Sequence, residues 1–193
     1  MEISISDELS SIINFAREEA MRTGSYGIAP DHLFLGILRH RENTAVDALR
    51  GAMIDIDEMK QFIDEKIFTN EHIPYSDIDK ISFSRGAQNV LSFTILEATK
   101  LRSAQASSQH LLLALCKSGS SYGSTYLNDL GVDYMHIYRY LDRNELLDKD
   151  TAIQSPEGTD ENAEDVPHIR IRAVPAEEKK EEPKKTTRKT TTT

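Results

Sequence analysis

Residues 13–39 read INFAREEAMRTGSYGIAPDHLFLGILR, and residues 91–117 read LSFTILEATKLRSAQASSQHLLLALCK. The second stretch follows the first at a constant shift of 78 positions, and the alignment extends without a gap over residues 13–64 and 91–142. Identical residues stand at equivalent places in both copies: Phe15 and Phe93, Glu19 and Glu97, Ala20 and Ala98, His32 and His110, Leu33 and Leu111, Leu49 and Leu127, Asp55 and Asp133. A gap-free repeat of this length indicates one helical unit used twice, with each copy supplying half of a shared core.

Each copy is predicted to form four helices. In the first copy, Ser6 or Asp7 can cap the first helix and Gly24 can end it, while Pro30 suits the first turn of the second helix. The second helix is apolar nearly all round, which predicts burial at the centre of its repeat, with Gly36 allowing another helix to approach closely. The predicted helices cover residues 6–23, 30–38, 44–50 and 57–67 in the first copy, and 84–101, 108–117, a short stretch around 126–127, and 133–141 in the second.

The sequence therefore predicts an all-α domain over residues 1–147, built from two tandem four-helix repeats at residues 3–67 and 81–145. Residues 68–81, which contain Pro74, are expected to bridge the repeats on the surface. A helical unit of this size can bury a core without a metal or a disulfide. From Asp148 onward the apolar periodicity is lost and Pro, Glu, Lys and Thr dominate, so residues 148–193 are predicted to form a disordered, charged linker.

Charge and hydropathy argue against several classes of partner. Residues 1–147 carry 21 acidic and 14 basic side chains, so they lack the basic stripe of a nucleic-acid-binding domain. The chain has no run of 18 apolar residues and no N-terminal signal pattern, which predicts a cytoplasmic protein without a membrane partner. Its single cysteine, Cys116, lies in an apolar helical pattern and is interpreted as a small core residue rather than a nucleophile.

The repeated motif resembles a known family. A helix carrying EEA at residues 18–20 precedes PDHLFLGILR at residues 30–39, and the second copy opens with SQHLLLAL at residues 108–115. This pattern is similar to the double Clp repeat, the N-terminal domain of the Clp (Hsp100) AAA+ unfoldases, and to the ClpC type in particular. The resemblance covers residues 3–145 and implies two repeats related by pseudo-two-fold symmetry.

The resemblance also implies a function. In the family this domain is a mobile, non-catalytic module that recruits adaptor proteins and substrates to a hexameric ATPase, which threads them into a Clp peptidase. The chain contains no G-x-x-x-x-G-K-[ST] motif, so no nucleotide or other cofactor is expected in it; ATP and Mg²⁺ would belong to AAA+ modules absent from it. The isolated domain is expected to be a monomer and its parent a hexamer. The alternatives are a stand-alone Clp-repeat accessory subunit and a hydrolase or ATPase in its own right.

Some ClpC-type relatives resemble phosphoarginine receptors, in which a helix-capping hydroxyl lies beside the phosphate and a carboxylate lies beside the guanidinium. The free N–H groups of a helix N-terminus suit the phosphate, and a carboxylate can bind a guanidinium through paired hydrogen bonds. By alignment, the first such site would join Ser6 to Asp31 and the second Ser84 to Gln109. The family has glutamate at both carboxylate positions, so the neutral Gln109 weakens the second site. The favoured interpretation of Ser6 and Ser84 is an ordinary helix cap, and the alternative for Asp31 is a first-turn carboxylate stabilised by the helix dipole.

Other candidate groups are interpreted structurally. His32 and His110 each stand alone at the start of a buried helix, without further ligands at a metal-binding spacing, so we interpret both as packed, hydrogen-bonded histidines. The paired carboxylates Glu18-Glu19 and Asp160-Glu161 are expected to be solvated rather than catalytic.

Overall fold

The computed structural model describes residues 3–147, so the predicted linker at residues 148–193 lies outside the described residues. The first repeat contains helices α1 to α4 and the second contains α5 to α8, which confirms the predicted all-α architecture. The helices are α1 Asp7–Arg22, α2 Pro30–His40, α3 Thr44–Gly51, α4 Ile56–Ile67, α5 Arg85–Lys100, α6 Ser108–Ser118, α7 Tyr122–Asp129 and α8 Tyr134–Arg143.

The helix starts follow from side chains that cap them. The Ser6 hydroxyl accepts a hydrogen bond from the Leu9 amide at 3.1 Å, and the Ser84 hydroxyl accepts one from the Ala87 amide at 3.2 Å. Each bond satisfies a backbone donor that has no partner inside its own helix. The predicted starts of α1 and α5 are therefore confirmed.

Helices α2 and α6 form the centre of the core. Leu33 and Leu38 of α2 and Leu111 and Leu115 of α6 are at most 1% exposed. A Cβ atom added at Gly36 would lie 2.5 Å from the carbonyl oxygen of Ile12, so α1 and α2 cross more closely than any larger residue would allow. Within residues 3–147, no helix has both the length and the hydropathy needed to cross a bilayer.

The two repeats exchange short strands. Strand β1, Ser4–Ile5, pairs in parallel with β4, Gln105–Ala106, while β2, Gly27–Ile28, pairs in parallel with β3, Ser82–Phe83. At the shift of 78 positions, β3 is equivalent to β1 and β4 is equivalent to β2. The first strand of each repeat therefore pairs with the second strand of the other repeat. This reciprocal pairing is what pseudo-two-fold symmetry requires. These strands were not predicted, because two residues are too few to show an alternating pattern in the sequence.

The segment between the repeats is more firmly attached than predicted. Its 3-10 helix, Tyr75–Lys80, is exposed, and the side chain of Tyr75 is 72% accessible. Ile73 and Ile81, however, are only 4% and 3% exposed and join the core. The segment therefore crosses the surface, but its two isoleucines anchor it to the domain.

Candidate functional site

Asp31 joins the two repeats. Its carboxylate is 6% exposed, and its Oδ1 atom accepts a hydrogen bond from the Gly123 amide, at the N-terminus of α7, at 2.9 Å. Burial raises the pKa of Asp31, and this effect outweighs the hydrogen bonds from the Gly123 and Tyr122 amides, which lower it. Asp31 thus stabilises the first turn of a helix in the other repeat.

Gln109 occupies the equivalent position in the second repeat, but its surroundings differ. Gln109 is 4% exposed; its Nε2 donates to the Leu146 carbonyl at 3.5 Å, and its Oε1 has no hydrogen-bond partner among the described residues. The α3 amide that corresponds to Gly123 is that of Ala45, and it donates to the Ser108 hydroxyl at 3.3 Å instead. Asp31 therefore caps α7, whereas Ser108 caps the equivalent helix α3. As a result, the Oε1 atom of Gln109 accepts no hydrogen bond from a described residue.

A cavity of about 300 Å³ opens beside Gln109. Both repeats contribute to its wall, which consists of Ser6, Glu8, Thr44, Ser107, Gln109, Glu145 and Leu146. Among the described residues, the wall holds two carboxylates and no Lys, Arg or His. Part of this charge is used structurally, because Glu8 Oε1 accepts a hydrogen bond from the Ser108 amide at 3.2 Å.

The structure pairs the candidate site residues across the repeats rather than within them. Ser6 shares the cavity with Gln109, not with Asp31. On the opposite side, the backbone after Ser84 approaches α2, where a Cβ added at Gly86 would lie 3.4 Å from Pro30. The sequence predicted a pairing of Ser6 with Asp31 because both residues belong to the first repeat. In the structure, the exchanged strands bring residues of the first repeat next to residues of the second. Phosphoarginine binding at any of these residues stays a prediction.

His32 and His110 are hydrogen-bonded core residues, as interpreted from the sequence. His32 Nδ1 accepts from the Ala29 amide at 2.8 Å, so its Nε2 carries the proton and faces the Thr23 hydroxyl at 2.9 Å. His110 repeats the arrangement with the Ser107 amide and the Ser103 hydroxyl. Burial, aided by the charge of Arg22, lowers the pKa of His32 to about 4.

The expectation that Glu19 is solvated is wrong. Glu19 is 3% exposed and forms ion pairs with Arg22 at 2.7 Å and with Arg39 of α2 at 3.1 Å. Its repeat equivalent, Glu97, is 2% exposed and contacts Lys117 at 3.2 Å. Both repeats have glutamate at this position, and this agreement was the sequence signal that could have predicted a buried, ion-paired role.

Cys116 fits its interpretation as a packing residue. Its side chain lies against the hydrophobic core, and burial, followed by the charge of Asp133, raises the pKa of its thiol to about 12. The thiol is therefore protonated at neutral pH, which does not suit a nucleophile. No group of three or more potential metal-ligating side chains is assembled within residues 3–147.

Comparisons with known proteins agree on one family. The profile of the Clp repeat (R) N-terminal domain matches residues 4–154. The negative regulator of genetic competence ClpC/MecB from Bacillus subtilis is 26% identical over 157 residues, covering 81% of this chain and 19% of the relative. The chaperone ClpB from Oceanobacillus iheyensis is 26% identical over 126 residues, covering 65% of this chain and 15% of the relative. The chain thus spans about a fifth or less of the length of these relatives.

Solved structures share the fold. The N-terminal domain of Hsp104 from Candida albicans superposes with a TM-score of 0.59 at 18% identity, covering 73% of this chain and 91% of that domain. The N-terminal domain of ClpD from Arabidopsis thaliana superposes with a TM-score of 0.57 at 17% identity, covering 72% and 96% of the respective chains.

Proposed function

Because this chain belongs to the Clp repeat (R) N-terminal domain family, we propose that it recruits substrate polypeptides or adaptor proteins to an ATP-dependent Clp unfoldase. Domains of this family are non-catalytic, protein-interacting parts of AAA+ proteins. In the proposed role, the AAA+ modules of a hexameric unfoldase bind ATP and Mg²⁺. The unfoldase threads the recruited polypeptide into a Clp peptidase, which degrades it. The domain contributes only the first binding step.

The observation that carries the proposal is the polar cavity between the repeats. Several buried polar groups elsewhere in the domain are engaged within the protein: Asp31 caps α7, His32 bonds Thr23, and Glu19 pairs with two arginines. The cavity, by contrast, presents the carboxylates and hydroxyls of its wall at a place that an incoming side chain can enter. This arrangement favours binding over catalysis.

The proposal can be tested by a domain exchange. The full chain replaces the N-terminal domain of a ClpC-type unfoldase, and the ATP-dependent degradation of fluorescein-labelled casein by the matching peptidase is compared with that of the domain-less unfoldase. We expect the chimera to degrade casein faster. Equal rates would contradict the proposal.

Two glycine variants provide the control for folding. Gly36→Leu places a side chain against the backbone of α1 and should abolish the gain, whereas Gly27→Ala meets only the Ser25 hydroxyl at 3.9 Å and should preserve it. A gain that survives Gly36→Leu would show that the folded domain is not responsible.

A further inference from the structure

One outer face of the first repeat is completed by ion pairs. Arg39, in the last turn of α2, binds Glu19 at 3.1 Å and Glu18 at 2.6 Å. Its guanidinium group also lies 4.8 Å from the centre of the Phe15 ring. Glu19 is buried, whereas the side chain of Glu18 is 37% exposed. The cation is thus shared between an inner and an outer carboxylate.

The second repeat has the same face without the outer carboxylate. At the shift of 78 positions, the aromatic ring, the inner glutamate and the cation are retained as Phe93, Glu97 and Lys117. The outer glutamate is replaced by Leu96, which is 43% exposed. Lys117 binds Glu97 at 3.2 Å, and among residues 3–147 it forms no ion pair with a second carboxylate. A place that the first repeat fills with its own carboxylate is therefore open in the second.

Two lysines share the single carboxylate of this second face. Lys100 Nζ lies 3.8 Å from Glu97 Oε2 and donates a hydrogen bond to the Tyr134 hydroxyl at 3.3 Å. The Tyr134 hydroxyl in turn donates to Glu97 at 2.9 Å. Each ammonium group has three N–H donors, and the side chains of Lys100 and Lys117 are 61% and 53% exposed. Both lysines therefore have donors to offer to a ligand, and positive charge exceeds negative charge within this cluster.

The net charge of the domain does not decide which group binds at this face. Residues 1–147 carry 21 acidic and 14 basic side chains, but charges farther apart than about 8 Å are largely screened at physiological ionic strength. A ligand at Leu96 therefore responds mainly to Lys100 and Lys117. The first repeat shows which ligand suits the position, because there a carboxylate binds the equivalent cation beside the equivalent ring.

We propose that this face docks an acidic segment of a partner polypeptide. The docking face consists of Phe93, Leu96, Lys100 and Lys117. A carboxylate of the partner takes the place that Glu18 occupies in the first repeat, and an apolar side chain of the same segment covers Leu96. An exposed leucine beside two lysines suits such a mixed partner, because burial of the leucine side chain adds to the charge-assisted hydrogen bonds.

The docking face is separate from the cavity beside Ser6 and Gln109. Gln109 lies in the first turn of α6 and Lys117 in the last turn, about 12 Å apart along the helix axis. The docking face therefore adds a second binding surface to the one used in the proposed function, and either surface can be refuted without the other.

The test is a titration of the full chain at physiological salt, followed by amide NMR shifts, with two peptides. The acidic peptide is acetyl-Gly-Glu-Leu-Leu-Glu-Gly-amide, and its neutral counterpart has glutamine in place of both glutamates. The acidic peptide should shift the amides of Leu96, Lys100 and Lys117 with a Kd on the order of 1 mM. The neutral peptide should bind about fivefold more weakly, because two exposed ion pairs are lost.

Three variants localise the binding. Leu96→Glu supplies the missing carboxylate from the chain itself, as Glu18 does in the first repeat, and should weaken binding of the acidic peptide at least about fivefold. Leu96→Gln removes the leucine without adding a charge and should weaken binding only about twofold. Asn70→Glu adds the same charge at an exposed position between the repeats and should leave the Kd unchanged.

The proposal is overturned if the acidic peptide produces no shifts at these amides at about ten times the expected Kd. It is equally overturned if the neutral peptide binds as tightly, or if Leu96→Glu and Leu96→Gln weaken binding equally. Sedimentation equilibrium tests a second copy of the chain as the occupant. The chain should be monomeric, and a dimer that Leu96→Glu dissociates would assign the face to self-association instead.

The cavity provides a further control. Thr44→Tyr, which places a bulkier side chain in the cavity wall, should leave the Kd of the acidic peptide unchanged. Loss of peptide binding in this variant would show that the peptide binds at the cavity and would overturn the docking face. A chimera that accelerates casein degradation while the acidic peptide does not bind would refute the docking face alone, and the reverse result would refute the recruiting role alone.

Discussion

At the scale of single residues, Asp31 and Gln109 show how one repeated position acquires two roles. The carboxylate of Asp31 holds the α7 N-terminus, whereas the amide of Gln109 lies beside a cavity with a free oxygen. The difference follows from the partner helix, because Ser108 already occupies the α3 amide that Gln109 would otherwise cap. A duplicated scaffold can thus use one copy of a position to join its two repeats while the other copy takes a different role.

This contrast predicts that substitution at the two positions changes the free energy of unfolding by different amounts. Asp31→Ala leaves the buried Gly123 amide without an acceptor and should lower the free energy of unfolding by about 1–3 kcal/mol. Gln109→Leu removes a buried amide whose oxygen has no partner and should change it by less than about 1 kcal/mol. Urea unfolding of both variants and the parent chain measures these values, and equal losses would contradict the assigned roles.

His32 predicts a pH dependence of stability. Its pKa in the folded chain is about 4, below the usual value of 6.5, so the unfolded chain binds the proton more readily. The stabilisation from neutral His32 is therefore complete above pH 6.5 and is lost as the pH falls toward 4, with a limit of about 3 kcal/mol. Urea unfolding at several pH values should show a smaller decline for His32→Gln than for the parent chain.

The exposed histidine provides the matched control for that experiment. His72 lies on the segment between the repeats, and His72→Gln should leave the pH dependence as it is in the parent chain. If His32→Gln and His72→Gln alter the decline equally, His32 is not its source.

At the scale of elements, the helices were predictable and the contacts between repeats were not. Capping serines, Pro30 and apolar spacing are local signals, and they placed the helix starts of α1, α2 and α5 within a residue of those observed. The two-residue strands and the pairing of Ser6 with Gln109 depend on residues that lie from 55 to 103 positions apart, which no local pattern encodes. The burial of Glu19 was missed because its partner Arg39 belongs to a different helix.

The crossing of α1 and α2 gives a prediction about packing. Gly36→Ala would bring a methyl group within 2.5 Å of the Ile12 carbonyl oxygen, so the helices must separate. We expect a loss of about 1–3 kcal/mol in the free energy of unfolding, measured by urea denaturation. Gly27→Ala, whose added Cβ would make only an ordinary contact with the Ser25 hydroxyl at 3.9 Å, should lose less. A Gly36→Ala variant as stable as the parent chain would show that the crossing is not tight.

At the scale of the whole molecule, the two repeats form one folding unit. Phe34 of the first repeat packs against Gly123 of the second, where an added Cβ would lie 2.5 Å from the Phe34 ring. Together with the exchanged strands, this contact means that neither repeat completes its own core. The internal repeat was visible in the sequence, but this mutual dependence became evident only from the fold.

A fragment experiment tests this dependence. A chain of residues 1–67 should lack stable helix by circular dichroism, because the strand partners and packing surface of the second repeat are missing. A chain of residues 1–147 should keep the helix signal and cooperative unfolding of the full chain. A stably folded fragment of the first repeat would show that this repeat does not depend on the second.

The proposed function requires this domain to bind polypeptides through the cavity between its repeats. The most direct measurement is a fluorescence anisotropy titration of a labelled polypeptide that stays unfolded, reduced and carboxymethylated α-lactalbumin. It is titrated with the full chain and with the Thr44→Tyr variant, which places a bulkier side chain in the cavity wall. Gln61→Tyr, on the exposed face of α4, is the control for the added aromatic ring. We predict saturable binding to the parent chain and to Gln61→Tyr, and binding at least about threefold weaker to Thr44→Tyr. Absence of binding to the parent chain, or equal binding to all three proteins, would contradict the claim.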